Sequence, residues 1–341
     1  MGCAIVARSR SGGPNTLSLV AFRAAIVAGI LLLVVFAGLR YAWRATPGLE
    51  AGALPVALLA VCVWPVALAG VLGPTGCLSG IAGDPLALFE ASPCSPAERL
   101  LLWPLAALLG EGLAAAALEA AAVGVALLLV HVLARGASSS TGAATFAQAG
   151  LALLLVTTLE TSAGVAVTLA LELLFLAHLF RRYAHLAGAR DAAAITAYAL
   201  VAQLGGEGAS LDVAALVGVF SLVELLWGVR GSARRLLAGW AIATAVVVAA
   251  GAAPWRGFVW AEARLDRTAT ASLTGCGLLA LIGLVATTRL VAGRRRLLGA
   301  GLVAGVLRLS TGAPLVLLGP LATLAALGLE RIVRVAKTPV A

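Results

Sequence analysis

Apolar positions in this chain come in long uninterrupted runs rather than in a two- or four-residue alternation. The runs cover residues 20–40, 53–72, 100–111, 113–134, 145–161, 163–180, 192–204, 211–229, 236–253, 271–290 and 313–329. A helix needs about 20 apolar residues to cross the roughly 30 Å hydrocarbon core of a bilayer. Strands of a membrane barrel would instead alternate apolar and polar positions over about ten residues. The runs are rich in Leu, Ala and Val and do not alternate, so they predict helices. Gly110-Glu111-Gly112 reads either as a turn between two helices or as a kink within one. Run 192–204 is short, and run 211–229 carries Asp212 and Glu224, which suits a helix buried in protein. The expected fold is therefore an all-α polytopic integral membrane protein of about nine or ten transmembrane helices. No linker, composition shift or internal repeat divides the chain, so residues 1–341 read as a single membrane domain. Its expected parts are a cytoplasmic tail (1–19), an N-terminal helix (20–40) and a helical core (53–329).

Composition strengthens this picture. Of 341 residues 62% are hydrophobic and 11% charged, and the mean hydropathy is +1.05. A soluble domain devotes roughly 25% of its residues to charge, so most of the surface here is expected to meet lipid or other apolar protein. The net charge of +9 would suggest nucleic acid in a soluble protein. Here the arginines sit at the ends of apolar runs, where they set topology and meet anionic headgroups, so lipid is the expected partner and nucleic acid is not. Arg8 and Arg10 precede the first run, and the following LRYAWR has no small-residue cleavage site, so this run is expected to be retained with its tail inside. The densest basic segment, Arg289 with Arg294, Arg295 and Arg296, is expected to be a cytoplasmic loop, on the same side as the loop at 73–99. A single crossing over 313–329 would then place Arg331, Arg334 and Lys337 on the opposite side, against the positive-inside rule. The expected location is a bacterial cytoplasmic (inner) membrane, crossed several times.

The chemistry resides in acids placed within or beside apolar runs: Glu111, Glu119, Glu160, Glu172, Asp212 and Glu224. A charge at the bilayer centre costs at least ~2.5–3.5 kcal/mol, so such groups face a bundle interior, pair with a cation or hold a proton. Glu160, Glu224, Glu111, Glu119 and Glu172 are the candidates for a proton path; pairing with nearby arginines for purely structural ends is the alternative. His131, His178 and His185 lie near helix ends and are expected at the interface. Cys3, Cys62, Cys77, Cys94 and Cys276 form no CxxC or Cys/His cluster, so neither a zinc nor an iron–sulfur site is expected within this chain. Cys77 and Cys94 share one loop region and could pair, but unpaired cysteines are the expectation. No nucleophile–base arrangement or phosphate loop is present, so no catalytic residue is assigned.

Four ordered patterns resemble one family. GPTGCLSGIAGDPLALFEASPCSPAERLLLWP (73–104) is similar to a G-P-x-G-L-L-Q turn followed by an amphipathic D-x-x-K-L stretch, an acid and a proline-opened helix; Gly73, Pro74, Asp84, Leu86, Glu90, Pro96 and Pro104 fall close to those positions. AATFAQAGLALLLVTTLE (143–160) resembles a helix ending in a membrane-embedded glutamate, matched by Glu160. LVELLWGV with Glu224 resembles V-E-Y-S-G, and Pro254-Trp255 follows thirty residues later. TTRLVAGRRRLLGAGLVAGVLRLS (287–310) resembles a basic loop and short helix before a last span, with Arg308 matching a late arginine. The family is the membrane subunit that anchors the quinone-site arm of respiratory complex I, with its equivalents in membrane-bound energy-converting nickel–iron hydrogenases and formate hydrogenlyase. The chain departs from it in lacking the basic R-x-x-A-R-x-Q-x-R segment, in the extra helix 20–40, and in reducing an acidic proline-containing loop to Gln203, Glu207 and Asp212.

The resemblance implies a non-catalytic anchoring and proton- or cation-coupling subunit without a cofactor of its own. Iron–sulfur clusters or quinone would belong to partner subunits: antiporter-like membrane proteins and a peripheral redox arm. Glu160 and Glu224 would join an acidic axis. Asp84, Glu90, Glu207, Asp212, Arg294, Arg295 and Arg296 would serve docking of the arm. A stand-alone secondary transporter, with breaks at Gly312–Pro314 and Gly319-Pro320 shaping its site, and a purely structural anchor are the alternatives.

Overall fold

A computed structural model describes residues 94–138, 140–158, 163–182, 189–228, 230–249, 267–287, 290, 292–309 and 315–337. The runs at 20–40 and 53–72, and the residues Asp84, Glu90, Glu160 and His185, lie outside them. Ten helices and no strands occur among the described residues: α1 (Pro96–Leu109), α2 (Glu111–Ala137), α3 (Thr141–Thr158), α4 (Ala163–Arg182), α5 (Ala189–Gln203), α6 (Glu207–Trp227), α7 (Arg230–Ala249), α8 (Arg267–Ala286), α9 (Ala292–Leu309) and α10 (Leu315–Lys337). Five of them, α2, α4, α6, α7 and α10, are long and apolar enough to cross a membrane. The chain is an all-α polytopic membrane protein.

Helix α4 is the axis of the bundle. Every residue from Ala163 to Phe180 is buried, as expected of a helix that is apolar all round. Helix α7 lies at the rim, and exposes Ile242, Val246 and Val248; side chains like these belong against lipid. Gly110, at φ 78, resolves the GEG ambiguity. Such a backbone angle favours glycine, and it separates α1 from α2 as two helices. Ser95 and Glu98 start α1 as a reciprocal cap. The Ser95 hydroxyl accepts from the Glu98 N–H at 3.1 Å, and the Glu98 carboxylate accepts from the N–H groups of Ser95 and of Gly164 on α4. Burial pushes this carboxyl up to about 7 despite those donors.

Helix α9 corrects the reading of 289–297 as a loop. Arg294, Arg295 and Arg296 form its first turns. Its glycines permit close packing on α10, because a Cβ at Gly301 would meet Pro320 and one at Gly305 would meet Leu317. The two helices form a hairpin rather than a loop followed by a crossing.

This hairpin also removes the conflict over the C-terminal arginines. Arg294 donates to the carbonyls of Phe180 (3.1 Å) and Gly136 (3.5 Å), which end α4 and α2. Glu330 on α10 accepts from Ser138, just past α2, at 2.6 Å. Helix α10 therefore returns to the end at which α9 begins, and Arg331, Arg334 and Lys337 share that end with Arg294–Arg296, Arg135 and Arg230. The expectation that 73–99 lies on the same side is overturned for its described part: Glu98 sits at Gly164, sixteen residues (about 24 Å) along α4 from Phe180. Cys94 stands at that opposite end and is disulfide-bonded, contrary to the expectation of unpaired cysteines; Cys276 is free. Single cysteines placed at positions 230, 295 and 331 are thus expected to react with a membrane-impermeant maleimide from one and the same side. Labelling of 331 from the side opposite to 295 would break the hairpin assignment.

Candidate functional site: a buried acid–arginine axis

Two ion pairs join α6 to α9 inside the bundle. Arg308 Nε donates to Asp212 Oδ1 at 2.6 Å, and Arg296 Nε donates to Glu224 Oε1 at 2.6 Å, with Nη2 reaching Oε2 at 3.4 Å. Both carboxylates are fully buried. The pairs are twelve residues apart on α6 (212 to 224) and twelve apart on α9 (296 to 308), which is the register of two antiparallel helices. At ~1.5 Å per residue they are about 18 Å apart along the bundle. Asp212 and Arg296, docking-loop candidates from the sequence, lie within helices rather than in loops. Desolvating a lone charge costs several kcal/mol, so an acid on α6 is stable here only with a cation facing it from α9.

Glu172 completes the inner pair. It lies midway along α4, is 5% exposed, and faces the Asp212 carboxyl. Among the described residues, no group donates to either of its carboxyl oxygens or to Asp212 Oδ2. Two carboxyl groups thus share one guanidinium, with the first-turn N–H of Val316 on α10 also facing Asp212. A proton held between Glu172 and Asp212 would neutralise the surplus charge and give the orphaned oxygens a donor.

A chain break at Gly206 and two helix ends flank this cluster. Helix α5 ends at Gln203 and α6 starts at Glu207, with Gly206 at φ 111 between them. Thr168, one turn from Glu172 on α4, donates to the Gly205 carbonyl at 3.0 Å and fixes that break within the bundle. Helix α9 ends just past Arg308, and α10 starts just before Val316. Backbone irregularity at this depth is tolerated where it is enclosed by protein or lines a polar cavity. The Ser210 and Ser221 hydroxyls on α6 are likewise buried without a partner among the described residues.

The remaining sequence candidates lie elsewhere. Glu119 is buried near Glu98 at the Cys94 end. Glu111 is the first, half-buried residue of α2, in the turn after α1, apart from the axis. Glu207 opens α6, so it is helical rather than part of a loop. Arg294 caps α4 and stacks over Phe180 at 5.1 Å, while Arg295 is exposed. His131 and His178 are buried rather than interfacial. His131 faces Gln148 on α3, and His178 stacks on Tyr198 at 4.2 Å. Glu98 was missed, although Ser95-Pro96-Ala97-Glu98 carries a legible capping signature. No cluster of three or more His, Cys, Asp or Glu groups suited to a metal occurs among the described residues. No protein-family model matches the chain, and neither a curated protein nor a solved structure matches it.

Proposed function

We propose that this chain is a membrane-anchoring and proton- or cation-coupling subunit in which the Glu172–Asp212 pair is the protonatable element. The observation that supports this most is the two-carboxyl, one-guanidinium cluster midway along the bundle axis. A bundle built only for stability would gain more from apolar packing at these positions. Arg308 holds Asp212 as the fixed anion, and Glu172 is the member with no cation of its own, free to gain and lose a proton. Exchange with the basic end would run along α6 past Ser221 to the Glu224–Arg296 pair, since a gap of about 18 Å exceeds any single hydrogen bond.

The resemblance of the Glu224 and Arg308 segments supports a complex I-like or membrane-bound hydrogenase-like respiratory assembly as the setting of the subunit. There it would sit among antiporter-like membrane subunits, beneath a peripheral arm carrying iron–sulfur clusters and reacting with quinone. The basic end would face the cytoplasm, because arginine-rich ends are retained on that side. The disulfide at Cys94 supports this orientation, as such bonds persist on the oxidising side. A bacterial inner membrane fits both.

A second reading, a stand-alone secondary transporter, draws support from the helix break at Gly206 beside the charged cluster. Mass spectrometry of what co-purifies with the chain in mild detergent separates the two. The subunit reading predicts antiporter-like membrane proteins and a cluster-bearing soluble arm in stoichiometric amounts. Recovery of the chain alone would sink that reading and leave the transporter.

A further inference from the structure

We propose that the groove between α6, α8 and the start of α9 binds an anionic phospholipid from the leaflet at the basic end. The groove encloses about 650 Å³ and is lined chiefly by apolar side chains, with Arg295 and Arg296 among them. The two arginines have different duties. Arg296 is held by the buried Glu224 carboxylate, so its charge is already matched. Arg295 is exposed, and no carboxylate lines the groove among the described residues. One positive charge therefore stands at the mouth of an apolar slot, complementary to a single phosphodiester.

Depth argues for a lipid rather than a free anion. Trp227, 72% exposed at the end of α6, lines the same groove, and tryptophan favours the headgroup level. From there the slot runs past Gly299 to Val303, continuous with the exposed aliphatics Leu226 and Val306. A guanidinium at headgroup level above an apolar channel suits a phosphate with acyl chains; free phosphate would leave the channel empty. Gly299 leaves the slot open, since a Cβ there would meet nothing within 4 Å.

The full chain in detergent is titrated with brominated phosphatidylglycerol and, separately, brominated phosphatidylcholine, following tryptophan quenching. Seven tryptophans are present, so Trp227→Phe identifies the reporter. The expected result is stronger quenching by phosphatidylglycerol, with the excess lost in Trp227→Phe. Arg295→Gln should weaken the apparent affinity about fivefold, from ~1 kcal/mol per basic residue at an anionic surface. Gly299→Leu, which fills the slot and leaves Arg295 in place, should abolish the excess as well. Equal quenching by the two lipids overturns the proposal, as does an unchanged affinity in both groove variants. Displacement by inorganic phosphate would show an anion site without lipid selectivity, and a dimeric mass with the groove covered would show a second copy there; either result also overturns it.

Discussion

Replacing Arg308 by Leu is expected to destabilise the bundle by roughly 3–5 kcal/mol, the penalty for stranding one member of a buried ion pair. Asp212 has no exposure, and Glu172 beside it is another acid rather than a donor cation. Without the guanidinium, two carboxyl groups face each other with only the α10 N-terminus to oppose them. The single variant should therefore unfold or aggregate in detergent well below the wild-type melting temperature. Combining it with Asp212→Leu should recover most of the loss, because matched apolar replacements of buried ion pairs are often neutral or stabilising. Size-exclusion profiles and thermal unfolding of the single and double variants check this. A stable Arg308→Leu protein, or a double variant no better than the single, would show that the pair is not enclosed as described.

Glu172→Gln is expected to act in the opposite way. Among the described residues the carboxyl forms no ion pair of its own, and no donor reaches its oxygens. An amide of the same shape can donate to Asp212 Oδ2 and so satisfy a buried acceptor. Stability should thus change by less than about 1 kcal/mol, while the site loses its exchangeable proton. Loss of transport without loss of fold distinguishes a working carboxyl from a structural one. The Asp212 and Glu224 variants cannot make that distinction, since each carries an ion pair.

The helical character and most boundaries were legible because they follow from local apolar runs: 113–134 became α2, 163–180 became α4 and 211–229 became α6. Helix α9 was not. Its Gly-Arg-Arg-Arg opening and its scattered glycines look like a loop, and they are explained only by α10, whose Leu317 and Pro320 need that close approach. The acids were legible as costly residues, and Glu172, Asp212 and Glu224 were named from the sequence. Their pairing with Arg308 and Arg296 was not. Asp212 and Arg308 are 96 residues apart and Glu224 and Arg296 are 72 apart, separations at which sequence carries no local signal. The hairpin returns the C-terminal arginines to the end that carries Arg294, Arg295 and Arg296.

The most direct test of the central claim is proton movement through proteoliposomes that carry the chain in whatever assembly it purifies with. The liposomes are driven by an imposed membrane potential and read with a trapped pH-sensitive dye. The account predicts flux in the wild type and a fall to the level of empty liposomes in Glu172→Gln, at unchanged protein incorporation and melting temperature. Undiminished flux in Glu172→Gln would contradict it.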